Sequence, residues 1–180
     1  MKLKELIRFL DELDKQGTWL IRTRYFLLKF KDEKKVTISR ELNRFLKDGI
    51  VVHIARDLYA NPRAKSSPEG DHRLIAIAKV LRPYDQFYVS LDRRANELGL
   101  ITQVPNRITF VTDGLSYTYR TPYGIIEFTH QNIKDLREDK DVEYDEVFGV
   151  YAANEKKVVE DTKKHKRYYL LGLMEENAGI

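Results

Sequence analysis

Arg40, Asn43, Arg44 and Lys47 recur three and four residues apart, the spacing that gathers side chains on one side of a helix. Three cations and one carboxamide along one strip match the chemistry of duplex DNA. A guanidinium pairs with the guanine edge, a carboxamide with the adenine edge, and further cations meet phosphate. Arg40 and Asn43, nearest the strip's N-terminus, read as base readers, and Arg44, Lys47 and Arg56 as phosphate contacts. Thr37 and Ser39 stand at the start of the strip and join the set.

No other chemistry has such a pattern. His53, His72, His130 and His165 share none of the short spacings that make metal ligands, and there is no cysteine;. Nucleophile-elbow and glycine-rich phosphate-loop motifs are missing;. The pair Asp139 and Asp141 lies in a charged run that reads as solvated surface. The cations of 163–167 suit a helix end as well as they suit phosphate;. The expectation is therefore no catalytic residue, no metal and no cofactor.

The strip needs a helix over Thr37–Lys47. Ile38, Leu42, Phe45 and Leu46 fall on its opposite side, with Glu41 and Asp48 at an edge. Thr37 is placed to cap the start and Gly49 to end it;. Ile50–Ile54 and Leu58-Tyr59-Ala60 then read as a hairpin with Ala55, Arg56 and Asp57 at its tip;. A basic-faced helix followed by a basic-tipped hairpin is the layout of a winged helix-turn-helix. The plainer reading is an amphipathic helix with a solvated face, and the distribution of charge favours the former. Residues 1–65 hold 16 Lys+Arg and 9 Asp+Glu, a net of +7. Residues 66–180 hold 16 and 19, a net of −3, within an overall +4. A polyanion would meet the N-terminal part.

The remaining chain supports an α+β fold of two domains: a winged helix-turn-helix at 1–65, a linker at 66–71, and a mixed helix and antiparallel-sheet domain at 72–180. Lys2–Gln16 carries apolar residues at helical spacing up to Gly17, and Arg22–Phe30 reads as a second helix. Asn61–Asp71, NPRAKSSPEGD, reads as the exit loop of the first domain running into this linker;. His72–Leu81 reads as a helix, Phe87–Val89 as a strand, and Ser90 as the cap of a short helix ending at Gly99. Arg107–Thr112, Ser116–Thr121 and Ile125–His130 read as a three-stranded meander, with Asp113-Gly114 closing its first hairpin;. Gln131–Tyr144 reads as loop or frayed helix, Val147–Tyr151 as strand, and Asn154 as the cap of a last helix running to about Lys166, before an apolar tail at Tyr168–Met174. Apolar residues make up 42%, enough for a core. No run nears the roughly 20 apolar residues of a membrane span, and Met1–Leu10, with Glu5, is unlike a signal peptide. A cytoplasmic protein without membrane contact is expected.

Several segments resemble AbiEi-type abortive-infection antitoxins. They are Arg56-Asp57-Leu58-Tyr59-Ala60-Asn61-Pro62-Arg63, Tyr88-Val89-Ser90-Leu91 with Glu97-Leu98-Gly99-Leu100, and Gln103-Val104-Pro105-Asn106-Arg107 with Thr109-Phe110-Val111-Thr112. Tyr119-Arg120-Thr121-Pro122-Tyr123-Gly124 with Glu127-Phe128-Thr129-His130, and Ala153-Asn154-Glu155-Lys156, are similar too. The resemblance implies a regulator that represses its own operon at inverted repeats in double-stranded DNA, as monomer or dimer. It also implies an antitoxin of a type IV toxin–antitoxin pair, counteracting a nucleotidyltransferase toxin without needing direct contact. Asp57 stands where the family's wing turn carries glycine, and Arg93-Arg94 where small residues are usual. Two adjacent cations on so short a helix cannot both bury cheaply, so at least one of Arg93 and Arg94 is expected to be exposed for a partner. Two other readings stand beside this one. One is a plain winged-helix regulator whose second domain senses a ligand or dimerises. The other is a nucleotidyltransferase-like enzyme, which lacks the Gly-Ser and paired acidic residues that would hold metal and nucleotide.

Overall fold

The computed structural model describes residues 1–179. The fold is α+β and divides into two compact units, Met1–Arg73 with Thr121–Tyr123, and Leu74–Arg120 with Gly124 onward. No helix among the described residues is long and apolar enough to cross a membrane.

The first unit runs α1 (Leu3–Lys15), β1 (Leu20–Arg22), α2 (Thr23–Lys29), α3 (Lys35–Lys47), β2 (Val52–Ala55) and β3 (Leu58–Ala60). The apolar spacing of α1 buries Leu6, Phe9, Leu10 and Leu13, and Gly17 ends the element at φ 74°. Phe9 meets Phe26 of α2 and Phe30 edge-on, at 5.9 and 6.0 Å. Ile38, Leu42 and Phe45 of α3 close the same core. The sheet has order β1-β3-β2, with β3 antiparallel to both neighbours. Strand β1 departs from expectation: Arg22 belongs to a strand rather than to the second helix. Leu20 and Arg22 pair with Ala60 and Leu58, so a strand partner outweighs the helical continuation of a three-residue segment. The expected linker is partly fastened: the backbone N–H groups of Lys65 and Ser66 both donate to Asp14, at 2.9 Å.

The second unit runs α4 (Gly70–Leu81), β4 (Phe87–Val89), α5 (Leu91–Glu97), β5 (Arg107–Thr112), β6 (Tyr117–Thr121), β7 (Gly124–His130), β8 (Val142–Asp145), β9 (Val150–Ala153), α6 (Glu155–Lys164) and α7 (Tyr168–Ala178). Its first few and three intervening residues group with the first unit. One six-stranded sheet has order β6-β7-β5-β4-β9-β8. It is mixed, correcting the antiparallel expectation: β5 runs parallel to β7 and β4 parallel to β9, while β4–β5 and β8–β9 are antiparallel.

The meander is corrected with it. Strand β7 lies between β5 and β6, so Asp113-Gly114 turns the chain across the end of β7 instead of closing a hairpin. The crossing is pinned. Thr112 Oγ1 accepts from the Gly114 N–H at 3.1 Å, and the Ser116 hydroxyl accepts from the His130 N–H at 2.8 Å. A Cβ at Gly114 would sit 2.0 Å from Asp85 Oδ2, so any larger residue there must displace that side chain. Central strands β4 and β5 are buried on both faces, as expected where helices cover a partly parallel sheet. Tyr88 packs on one face with Leu91, Ala95, Val158 and Leu170 of α5, α6 and α7. Phe87, Phe110 and Phe128 cluster on the other, where the Arg82 guanidinium lies 5.1 Å over Phe128.

Of the two expected caps, one forms and one does not. Asn154 caps α6 as expected, its side chain accepting from Lys157 N at 2.9 Å. Ser90 makes no cap bond; its hydroxyl donates to Asp161 instead. The expected strand at Val147–Tyr151 begins at Val150, after a turn in which Asp145 Oδ1 accepts from Val147 and Phe148 N–H. The apolar tail is helix α7, docked through Leu170.

Candidate nucleic-acid interface

Helix α3 starts at Lys35 with Lys34 in the N-cap position and no side-chain cap bond. Thr37 therefore lies inside the first turn, half-buried, and does not cap the helix as expected. The stop is as expected: Gly49 takes φ 67°, a conformation cheap for glycine;. Ile38, Leu42 and Phe45 are at most 2% exposed, which fixes the rotation of the helix. Ser39, Arg40, Asn43, Arg44 and Lys47 consequently all face solvent. At about 1.5 Å per residue, Arg40 and Lys47 are separated by about 10 Å along the axis.

Arg40, Asn43 and Lys47 make no hydrogen bond or ion pair with a described residue. Arg44 differs. Its guanidinium pairs with Glu41 at 2.7 Å and lies 4.8 Å from the Phe45 ring centre. An exposed pair of this kind contributes at most about 1 kcal/mol, so a phosphate can compete for Arg44, but less readily than for Lys47.

The hairpin of β2 and β3 presents Arg56 at its tip, exposed and unpaired among the described residues. Asp57, beside it, takes φ 65°, the left-handed conformation that Asp tolerates better than most residues. That explains how Asp stands at a turn position where glycine would serve. Its carbonyl accepts from Thr23 N at 3.2 Å, and its carboxylate lies 4.0 Å from the Arg22 guanidinium. The tip is thereby tied to the start of α2 while Arg56 stays outside.

Neither Arg93 nor Arg94 is exposed, although at least one is expected to be. Both side chains are about one-fifth exposed and both pair with Glu97, at 3.4 and 3.1 Å. Arg94 Nε also donates to the Ala153 carbonyl at 2.7 Å. One turn of helix places Glu97 within reach of both, so the two cations sit against the protein with their charge shared.

The second unit holds a buried polar cluster that sequence reasoning missed. Tyr88, Ser90 and Asp161 are each at most 1% exposed. Asp161 Oδ2 accepts from the Tyr88 hydroxyl at 2.9 Å and from the Ser90 hydroxyl at 2.7 Å. Gln131 bridges outward, its Nε2 3.5 Å from the Tyr88 oxygen and its Oε1 3.1 Å from His165 Nε2. Burial raises the Asp161 carboxyl above its ordinary range, the two hydroxyls offsetting part of the rise. Burial, then the Asp161 charge, push the Tyr88 phenol up, and burial lowers His165. The signal was present: Asp161 and His165 share the stripe of Val158 on α6, at spacings of three and seven. Leu91, next to Ser90, is fully buried at φ 56°, a strained conformation held by the packing around it.

A second network links Arg107, Glu127, Arg167, Asp92 and Tyr169. Glu127 accepts from Arg107 at 3.1 Å and from Arg167, and Asp92 accepts from Tyr169 and lies 3.7 Å from Arg167. It joins β5, β7, α5 and α7. Among the described residues no three His, Asp or Glu side chains converge as a metal site requires. No family model matches the chain, and no curated protein matches it in sequence.

Proposed function

We propose that the first unit is a winged helix-turn-helix that binds double-stranded operator DNA, with α3 in the major groove and the β2–β3 hairpin against the adjacent backbone. The observation that carries the reading is the exposed strip of Arg40, Asn43 and Lys47, polar, unpaired among the described residues, and backed by a fully buried apolar face. The major groove is wide enough to admit a helix with such a strip, and Arg56 extends the positive surface to the hairpin tip. Arg40 and Asn43 read bases, while Lys47, Arg56 and, less freely, Arg44 meet phosphates.

The resemblance of the second unit's segments to AbiEi-type antitoxins supports the rest of the reading. The chain is a non-enzymatic autorepressor and antitoxin, acting at inverted repeats and against a nucleotidyltransferase toxin. The two parts separate by experiment. In gel-shift titrations with DNA from upstream of the chain's own gene, Arg40→Ala should lose about 1–3 kcal/mol of discrimination against an altered site. Lys47→Ala should weaken all sequences alike. Equal losses of specific and non-specific binding in both variants would refute the assignment. Expressing the toxin from an unrelated promoter removes repression as a route to rescue. Restored growth with the Arg40→Ala/Lys47→Ala chain would support an antitoxin role outside the DNA surface, and continued arrest by an abundant, folded chain would oppose it.

A further inference from the structure

We infer that the second unit carries a binding site for a flat aromatic carboxylate, independent of the DNA-binding reading. A cavity of about 620 Å³ lies between the end of α4, residues 133–137 and the β8–β9 turn. That is within the usual size range of small-molecule pockets. Its wall includes apolar side chains: Phe87, Leu136 and Val150 are at most 9% exposed. The Tyr144 and Tyr151 rings meet edge-on at 5.2 Å beside them. Such a wall takes an aromatic ring by stacking and edge contacts.

One corner is built for an anion. The Lys79 ammonium has a single acceptor among the described residues, the Phe148 carbonyl, at 3.5 Å. It carries three N–H groups, so at least two lack an acceptor among the described residues. At Gly149 a Cβ would stand 3.1 Å from Lys79 Nζ and 3.5 Å from the Tyr144 hydroxyl. A side chain at 149 would therefore fill the space that the ammonium and the phenol share. The Tyr144 hydroxyl makes no hydrogen bond with a described residue. Lys79 is exposed, and partial burial lowers its pKa. Of the other charges at the rim, Arg137 pairs with Asp135 and Asp85 with Arg82 at 3.0 Å, while Lys134 is exposed. One ammonium and one phenol offer donors to the two oxygens of a carboxylate, and the rings behind them offer a surface for an aromatic body.

Calorimetric titration of the full chain with 2-naphthoate tests this, with uncharged 2-naphthylmethanol as the comparison. The naphthoate should bind saturably at one site, and the alcohol about tenfold more weakly or worse. Lys79→Ala should lose about tenfold in naphthoate affinity and leave the alcohol unchanged, and Tyr144→Phe should lose about threefold. Both positions are exposed enough for the variants to fold, which thermal melting checks. Absence of saturable binding would overturn the inference. So would equal affinity for acid and alcohol, or unchanged naphthoate affinity in Lys79→Ala.

Discussion

Replacing Asp161 separates hydrogen bonding from burial of charge in the second unit. Asp161→Ala removes the acceptor of two buried hydroxyls, Tyr88 at 2.9 Å and Ser90 at 2.7 Å. Each buried donor left unpaired costs about 1–3 kcal/mol. Against that, the alanine variant no longer holds a carboxylate in a site that raises its pKa. The net loss should be about 2–4 kcal/mol. Asp161→Asn keeps an oxygen for the hydroxyls and removes the charge, so it should stay within about 1 kcal/mol of wild type. The pH dependence has a definite sign. The folded state raises the Asp161 pKa above 3.8, so its contribution to stability is complete below that value. The contribution is lost as pH rises through the raised value. Asp161→Asn should therefore gain on wild type as pH rises from about 4 to about 8. Urea denaturation followed by far-ultraviolet circular dichroism at both pH values measures these quantities, provided the slope with urea is unchanged. An alanine variant as stable as wild type would refute the reasoning, as would an asparagine variant destabilised as much as alanine.

Three further outcomes are expected. Gly114→Ala should cost about 1–2 kcal/mol in denaturation, because its Cβ would displace Asp85 and break the 3.0 Å pair with Arg82;. Burial lowers His165 below 6.5, so its contribution is present above that pH and lost as pH falls through the lower value; His165→Gln should flatten the fall in melting temperature between pH 6.5 and about 5. Asp14→Ala should release Lys65 and Ser66, whose hydrogen bonds help hold the Asp14 carboxyl below its usual range, and should speed tryptic cleavage after Lys65.

Local signals carried α3 and the hairpin. A buried stripe at helical spacing and a glycine stop determine which side chains face out, whatever surrounds the helix. The start of α3 was harder to place, because Lys34 and Lys35 lead into it without a capping side chain. Strand order was not local. Asp113-Gly114 favours a tight turn, yet whether that turn joins neighbouring strands depends on β7 entering between β5 and β6. Short-range turn chemistry contains nothing about that insertion. Strand β1 shows the same limit, since three residues become a strand only through their pairing with β3. Ser90 carried a cap signal and lost its cap bond to a carboxylate 71 positions away. Arg93 and Arg94 looked too charged to withdraw from solvent, and Glu97 one turn later drew both back.

The central claim is that α3 and the hairpin tip meet DNA phosphates. Its most direct measurement is the salt dependence of binding by the full chain to DNA from upstream of its own gene, compared with Lys47→Ala. With Arg44, Lys47 and Arg56 on phosphates, log affinity should fall with log salt at a slope of about −3 per chain, and Lys47→Ala should reduce that slope by about 1. A slope near zero, or one that Lys47→Ala leaves unchanged, would contradict the claim.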